Sequence, residues 1–371
     1  MSFKSQLEQR LAADCGRAQG LGVGRAATGL SLIFEELAQH YTQSPQVIFP
    51  ATLCTSPPTV AQLAGVKPVF CDVDPRTGLI TPETLEAAFK TYPQAKALLL
   101  THLYGHVGDL DALMSIAKRH HALVIEDAAQ AHGASYKARP VGSFGDLSLL
   151  SFGHTKILDV GGGGVILSDD PAWMRALRSR AETLSAPSEH LARWSGDYRT
   201  GYYALAAQFK AHPGLKPMIG ALCRLHPGLY RYSLSEDQAE RCLASLRDLP
   251  HIIAQRREHA QLYERALEGS AIAYQAQTEG SVPWRFNLFL QPALREQALS
   301  DLRSADIDAS AWYPNAAPFF AESDHASLNL PGGDQLEHEI LNLWVDHRVD
   351  AAQITQTCAR IMSLTDHKVG Q

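Results

Sequence analysis

VIEDAAQAHGASYKARPVGSFGDLSLLSFGHTKILDVGGGG, residues 124–164, is the stretch on which the reading of this chain turns. The apolar run 122–125 has the composition of a buried strand and leads straight into Glu126 and Asp127. Residues 147–152 and 165–167 make two more short strands. Between them the chain offers a carboxylate at a strand end (Asp127), an amide (Gln130), a hydroxyl (Ser151), an amine (Lys156) and the glycines at 161–164. Taken singly, each has an ordinary explanation: a turn acid, a solvated surface lysine, a flexible glycine turn. The glycine run also lacks the GxGxxG order that opens a dinucleotide-binding helix.

Working outward, the same alternation continues. Residues 47–49, 68–73 and 97–103 are strand-like. Leu30, Ile33, Phe34, Leu37 and Ala38 recur at the spacing of a one-sided helix, which predicts a helix after the small residues at 24–29. A further helix follows from Asp109, a good N-cap. Short apolar strands alternating with amphipathic helices predict an α/β domain with a mostly parallel central sheet flanked by helices. Ligands of such sheets bind at the carboxyl ends of the strands, where Asp127 and Ser151 fall. The first 20 residues read as a helix packing on the rest or on a partner. Residues 185–230 break the pattern with Trp194, Tyr198, Arg199, Tyr202, Tyr203, Phe209, Lys210 and several prolines, and read as a partly helical insertion on the surface or over the site. Residues 235–267 are helical, and the remainder mixes strands (284–290) with helices (294–304, 351–361). The expected organisation is a large domain, 1–235, carrying the 185–230 insertion, and a smaller α+β C-terminal domain, 236–371.

With 371 residues the chain exceeds one small core and suits two unequal domains. Hydrophobic residues make up 45% and charged residues 19%, and the net charge is −6, which does not suit a dedicated nucleic-acid binder. The six cysteines are scattered without a CxxC pair, so neither a disulfide scaffold nor a zinc ribbon is indicated, and reduced thiols in the cytoplasm are expected. No HExxH occurs among the sixteen histidines, and no metal is expected. The polar N-terminus lacks a signal-peptide core, and no apolar run reaches the ~20 residues of a membrane span.

EDAAQAHGASYKARPVGSFGDLSLLSFGHTKILDVGGGG resembles the central motif of the DegT/StrS-type sugar aminotransferases. KPVFCDVDPRTGLITPETLEAAF, THLYGHVGDLDALMSIAKRHHALVIEDAAQ and SEDQAERCLASLRDLPHIIAQRREHAQLYERAL extend the similarity over most of residues 20–270. The resemblance implies the type I fold of pyridoxal 5'-phosphate (PLP) enzymes. It implies transfer of an amino group from glutamate or glutamine to a keto-sugar, nucleotide-linked, in a homodimer with shared active sites. Lys156 then corresponds to the Schiff-base lysine and Asp127 to the partner of the pyridine nitrogen. Gln130 corresponds to the ligand of the ring hydroxyl, and Ser151 to a phosphate ligand. Ala27 and Thr28 align with helix-start positions whose N–H groups bind that phosphate. Tyr313, in AWYPN, aligns with a sugar-lining segment, and His154 stands close enough to Lys156 in sequence to face the same pocket.

The chain also departs from the family pattern. Arg25-Ala26-Ala27-Thr28 replaces Ser-Gly-Thr-Ala at the phosphate helix. Cys54 stands near the position of a ring-stacking aromatic, either as a cofactor contact or as a small buried hydrophobe. The acid of the family's GeGG is lost in the run of four glycines. Where an Asn usually reaches the neighbouring subunit's phosphate, the nearest match is Arg231, a stronger phosphate ligand or a plain surface arginine. Two other readings remain. Dehydratase relatives carry histidine in place of the lysine, which Lys156 disfavours. The departures give some weight to a non-catalytic PLP- or sugar-binding regulator.

Overall fold

The computed structural model describes residues 1–209, 211–320 and 329–369, so Lys210 lies outside the described residues. Nine strands belong to the first part of the chain: β1 (Gln19–Val23), β2 (Gln46–Pro50), β3 (Lys67–Cys71), β4 (Ala95–Thr101), β5 (Leu123–Asp127), β6 (Ser135–Tyr136), β7 (Arg139–Pro140), β8 (Leu147–Ser151) and β9 (Gly164–Ser168). Strands β6 and β7 form a separate hairpin, and the other seven make one sheet in the order β1-β9-β8-β5-β4-β2-β3. Neighbours from β3 to β8 pair in parallel, and β9 alone runs against them, antiparallel to both β8 and β1. The sheet is therefore mostly parallel, as its continuously apolar strands require: Leu98, Leu99, Ile125, Leu147 and Leu149 are buried by helices on both faces. Each such side chain contributes about 1.5–3 kcal/mol when fully buried.

Two helices frame the edge where the site forms. Helix α1 (Phe3–Asp14) is capped by the Ser2 hydroxyl, which accepts from Ser5 N, and it buries Leu7 and Leu11. Helix α2 (Ala26–Gln39) buries Leu30, Ile33, Phe34 and Leu37, the face that its sequence spacing marks. Strand β1 was not apparent in the sequence, because QGLGV carries two glycines in five residues. The structure explains the first of them: a Cβ at Gly20 would lie 2.6 Å from the Glu8 carbonyl oxygen, so α1 rests directly on the strand backbone.

The 185–230 segment is largely helical. Its helices Leu191–Ala206 and Pro217–Cys223 cover one face of the sheet through Tyr202, Ile219 and Cys223. The single helical stretch expected over 235–267 is two helices, Glu236–Ser245 and Leu249–Ala266. Pro250 explains the break, since proline suits a first turn and disrupts an interior one. Glu236 also accepts from Phe3 N at 2.7 Å, tying the first of these helices to α1.

The C-terminal part builds a second sheet from β10 (Ala273–Tyr274), β11 (Phe286–Phe289), β12 (Ala309–Ser310) and β13 (Ile340–Leu343), in the antiparallel order β10-β11-β13-β12. Helices Leu249–Ala266, Pro292–Ser304 and Ala351–Val369 supply its core, in which Tyr263 stacks on Phe286 at 4.8 Å. Among the described residues no helix is long and apolar enough to cross a membrane.

Candidate active site

Strand β5 ends in two carboxylates, and successive strand residues face opposite ways. Glu126 points into the core and is fully buried. Its oxygens accept from the backbone N–H of Gly142 (2.7 Å), Phe144 (2.8 Å) and Gly145 (2.9 Å) and from the Ser148 hydroxyl (3.0 Å), and His102 Nε2 lies 3.0 Å away. Burial alone would raise this carboxyl; the hydrogen bonds from His102, Gly142 and Gly145 overcome it and bring it down to about 2. Glu126 thus locks the 142–145 turn beneath the site.

Asp127 points the other way. One of its oxygens accepts from Ala129 N at 2.9 Å, and among the described residues the other has no hydrogen-bond donor. Burial raises its carboxyl, and the positive charge of Lys156 draws it back. Lys156 sits on the loop between β8 and β9. Buried Phe152, Ile157 and Leu158 anchor this loop, as does a hydrogen bond from Trp284 Nε1 to the Thr155 carbonyl at 2.5 Å. Thr155 N also donates to Asp159 (2.8 Å), which Arg348 reaches at 3.5 Å. Burial lowers the Lys156 amine; Cys54 and Asp127 raise it, and Arg25 and Arg285 lower it further. Asp127, Lys156 and Cys54 therefore share one electrostatic neighbourhood, although they come from β5, the β8–β9 loop and the segment after β2.

Gln130 forms one wall. Its Oε1 accepts from Tyr104 N (2.8 Å) and its Nε2 donates to the Tyr313 hydroxyl (2.7 Å), which leaves one amide N–H for a ligand. Tyr313 is further fixed by its own N–H to the Tyr104 hydroxyl (3.0 Å) and by rings of Tyr104 at 6.3 Å and Trp284 at 5.9 Å. Burial pushes the Tyr313 phenol well above its usual range.

The opposite wall is the start of α2. Strand register sets Ser151 opposite Gly164, and a Cβ at Gly164 would lie 2.6 Å from Ala26 N. Only glycine lets the β9 backbone approach the helix this closely. Of the two backbone donors expected here, Ala27 N–H has no partner within the helix, whereas Thr28 N–H donates to the Arg25 carbonyl at 3.0 Å; Ala26 N–H also precedes the first helical acceptor. The Thr28 hydroxyl is fully buried and has no hydrogen-bond partner among the described residues. The Ser151 hydroxyl accepts from Gly153 N at 3.3 Å.

Two of the residues singled out from sequence stand apart from this set. The His154 side chain is 82% exposed, 3.6 Å from Asp159. The Arg231 guanidinium lies across Glu35 of α2, with bonds of 3.0 and 3.2 Å, and reaches Thr183. Sequence reasoning passed over Tyr104, Arg25, Trp284 and Arg285. Tyr104 has a left-handed backbone (φ 59°), which no side-chain pattern announces. Arg25 binds the Leu229 carbonyl at 2.7 Å, and its place in the RAAT departure was the available signal. No group of three or more potential metal ligands occurs among the described residues.

A mostly parallel seven-stranded sheet flanked by helices, followed by a small antiparallel sheet, is the architecture of the type I fold of PLP-dependent transferases. The chain belongs to the DegT/DnrJ/EryC1/StrS aminotransferase family, whose family model matches residues 2–362. It is 29% identical over 353 residues to a pleiotropic regulatory protein of Geobacillus stearothermophilus, covering 92% of this chain and 83% of the relative. It is 34% identical over 228 residues to L-glutamine:2-deoxy-scyllo-inosose aminotransferase of Streptoalloteichus tenebrarius, covering 60% of this chain and 47% of that protein. To GDP-perosamine synthase of Caulobacter vibrioides it is 35% identical over 181 residues, 48% of each chain. The last two matches span about half of those relatives. Among solved structures, Helicobacter pylori PseC, an aminotransferase of pseudaminic acid biosynthesis, superposes with a TM-score of 0.79 at 15% identity, covering 98% of this chain and 92% of that one. DesI, solved with its TDP-sugar product, superposes at 0.76 and 22%, covering 98% and 85%. At these identities the superpositions speak for the fold.

Proposed function

We propose that this chain binds PLP through Lys156 and transfers an amino group from glutamate or glutamine to a keto-sugar, nucleotide-linked, in amino-sugar biosynthesis. The observation that carries the reading is the pairing of a half-buried amine on the β8–β9 loop with a half-buried acid at the end of β5, each shifting the other's titration. The residues present fit the cofactor. The free oxygen of Asp127 suits a protonated ring nitrogen. The unpartnered Thr28 hydroxyl and the N–H groups of Ala26 and Ala27 suit a phosphate at a helix start, with Ser151 beside them. Gln130 keeps an amide N–H for the ring hydroxyl.

When bound, the cofactor supplies an aldehyde that condenses with amines and a ring that accepts electrons. Asp127 holds a proton on the ring nitrogen by staying anionic, and its burial strengthens that pairing. Lys156, whose amine burial lowers, would hold the cofactor and, once released by the amino donor, would serve as the base that moves the proton of the donor carbon. Tyr104 and Tyr313 orient Gln130, and Trp284 fixes the loop that carries the lysine. Tyr198, through its hydroxyl contact with Thr55 (2.8 Å), brings the 185–230 segment to the rim, where Tyr202 and Tyr203 pack on Trp312, next to Tyr313, and can meet the sugar. The proposal includes a cytoplasmic homodimer with active sites shared between the subunits.

Spectroscopy with substrates tests this reading. Glutamate or glutamine should abolish the visible band of the purified protein, and one of a panel of keto-sugar nucleotides should restore it with an amino-sugar product. No spectral change with any amino acid would contradict the proposal. The similarity to a regulatory protein favours a second reading, a binder without full turnover. Bleaching without product would favour that reading.

A further inference from the structure

The second sheet carries a row of amides through an otherwise apolar interior. Register sets Asn287 of β11 opposite Asn342 of β13, and Asn342 opposite Ser310 of β12. Gln275, one residue beyond β10, completes the row. Successive strand residues face opposite ways, so Phe286, Leu288, Leu341 and Leu343 line the core under the C-terminal helices. The amides share the other face with Phe289 and Ile340, which pack into the core of the large sheet. Gln275, Asn287 and Asn342 are 2%, 1% and 1% exposed. Gln275 Nε2 donates to the Thr77 carbonyl (3.1 Å), Asn287 Nδ2 to Gln275 Oε1 (2.6 Å) and Asn342 Nδ2 to Asn287 Oδ1 (2.8 Å). Asn342 Oδ1 then accepts from the Ser310 hydroxyl (3.1 Å) and from Trp312 N (2.6 Å).

The polarity of this row is set at its ends. A backbone acceptor, the Thr77 carbonyl, stands at one end, and a backbone donor, the Trp312 N–H, at the other. Turning any one amide over would set donor against donor and acceptor against acceptor. Apolar side chains would fill the same space without desolvating any amide. What a fully paired row supplies instead is a fixed place for the group that its last oxygen holds. That group is the Trp312–Tyr313 segment. The Tyr104 hydroxyl donates to the Trp312 carbonyl at 2.8 Å and accepts from Tyr313 N at 3.0 Å, and the Tyr313 hydroxyl accepts from Gln130. Tyr104 thus holds the segment from the first part of the chain and Asn342 from the second. Thr77, whose own N–H donates to Asp74 Oδ1 (2.8 Å), anchors the row in the turn after β3.

We propose that Asn342 is a positioning residue for the acceptor substrate: by holding Trp312 N it sets where the Tyr313 hydroxyl stands against Gln130, and so how the keto-sugar seats. The inference rests on the aminotransferase reading. Trp312 puts it on the sugar side of that reading, through its contacts with Tyr202 and Tyr203 at the rim. Asp127 and Lys156, on which the amino donor's chemistry depends, have no hydrogen bond to any residue of the row among the described residues. The donor half of the reaction is therefore independent of Asn342.

Amide hydrogen exchange and half-reaction spectroscopy on the PLP-loaded protein test this together. In Asn342→Leu, deuterium uptake in the peptide spanning residues 310–314 should quicken. The half-saturating concentration of the keto-sugar nucleotide that restores the wild-type band should rise about tenfold or more, the scale of a lost buried hydrogen bond. The response to glutamate or glutamine should stay within about twofold, with cofactor content unchanged. Asn342→Asp, which in its neutral form makes the same bonds, should recover part of the loss. Leu341→Ala, on the opposite face of β13, is the structural control: its urea midpoint should fall while both half-reactions keep wild-type values. Should Asn342→Leu not fold, Tyr104→Phe, which frees the same segment from the other side, must show the same selective loss. Unchanged exchange or an unshifted sugar response in Asn342→Leu overturns the proposal, as does an equal loss of both half-reactions or the same loss in Leu341→Ala. Wild-type protein whose band answers to no amino acid, or that no keto-sugar nucleotide restores, overturns the aminotransferase reading and this inference with it.

Discussion

At the scale of single residues, the chemistry proposed for the site rests on what enclosure does to two charges. Asp127 is raised and Lys156 lowered by the same enclosure, and each is pulled back by the other. An acid so placed gains most from a protonated nitrogen brought against its free oxygen. Asp127→Asn keeps the shape and removes the charge. Its kcat should fall by about 10²-fold or more while cofactor remains bound, as steady-state kinetics beside absorbance will record. Wild-type kcat in this variant would remove Asp127 from the chemistry. Lys156, Asp127, Gln130, Ser151 and the 27–28 pair were singled out because the motif fixes their order along the chain, and their roles stand as proposals. Tyr104, Trp284 and Arg285 were not, because their roles arise from contacts between residues far apart in sequence, such as Trp284 with Thr155. Arg231, singled out for the neighbouring subunit's phosphate or as a surface arginine, pairs with Glu35 within its own chain.

At the scale of elements, the site depends on how closely β9 approaches α2. Gly164→Ala would press a methyl against Ala26 N. It should cost about 1–3 kcal/mol in urea unfolding and weaken PLP retention in equilibrium dialysis. Gly162→Ala, with its nearest neighbour at 3.6 Å, is the control and should cost little. Equal behaviour of the two variants would argue against a tight cradle. The Glu126 network makes a second test. Glu126→Gln leaves three backbone donors and Ser148 facing a neutral amide, and should destabilise the protein by about 2 kcal/mol or more. An unchanged urea midpoint would contradict the role assigned to it. The parallel strands were readable as short apolar runs bounded by polar turns. Strand β1 was not, because its glycines answer to α1 packing against it, and that contact leaves no periodic trace.

At the scale of the whole molecule, buried titratable groups set the dependence of stability on pH. Burial lowers His106 and His132 to about 4. Unfolded histidines take up protons near ~6.5, so the unfolded state binds more protons between those values. The contribution of these two residues is fully present above pH ~6.5 and is lost as pH falls toward about 4. Glu126, held at about 2, adds a second loss below pH ~4.3, the ordinary range of an unfolded glutamate. Urea midpoints should therefore decline from pH 7 to pH 4 and more steeply below. A flat profile from 7 to 4 would show that the two histidines are hydrated in solution. The way Trp284 and Arg348 pin the lysine loop from the C-terminal part of the chain was not legible in the sequence.

The proposed function turns on the amine of Lys156 being the covalent attachment point of PLP. Borohydride reduction of the yellow protein, followed by proteolysis and mass spectrometry, tests it directly. One phosphopyridoxyl label per chain is expected, on the peptide containing Lys156. A label on any other lysine, with Lys156 recovered unmodified, would contradict it.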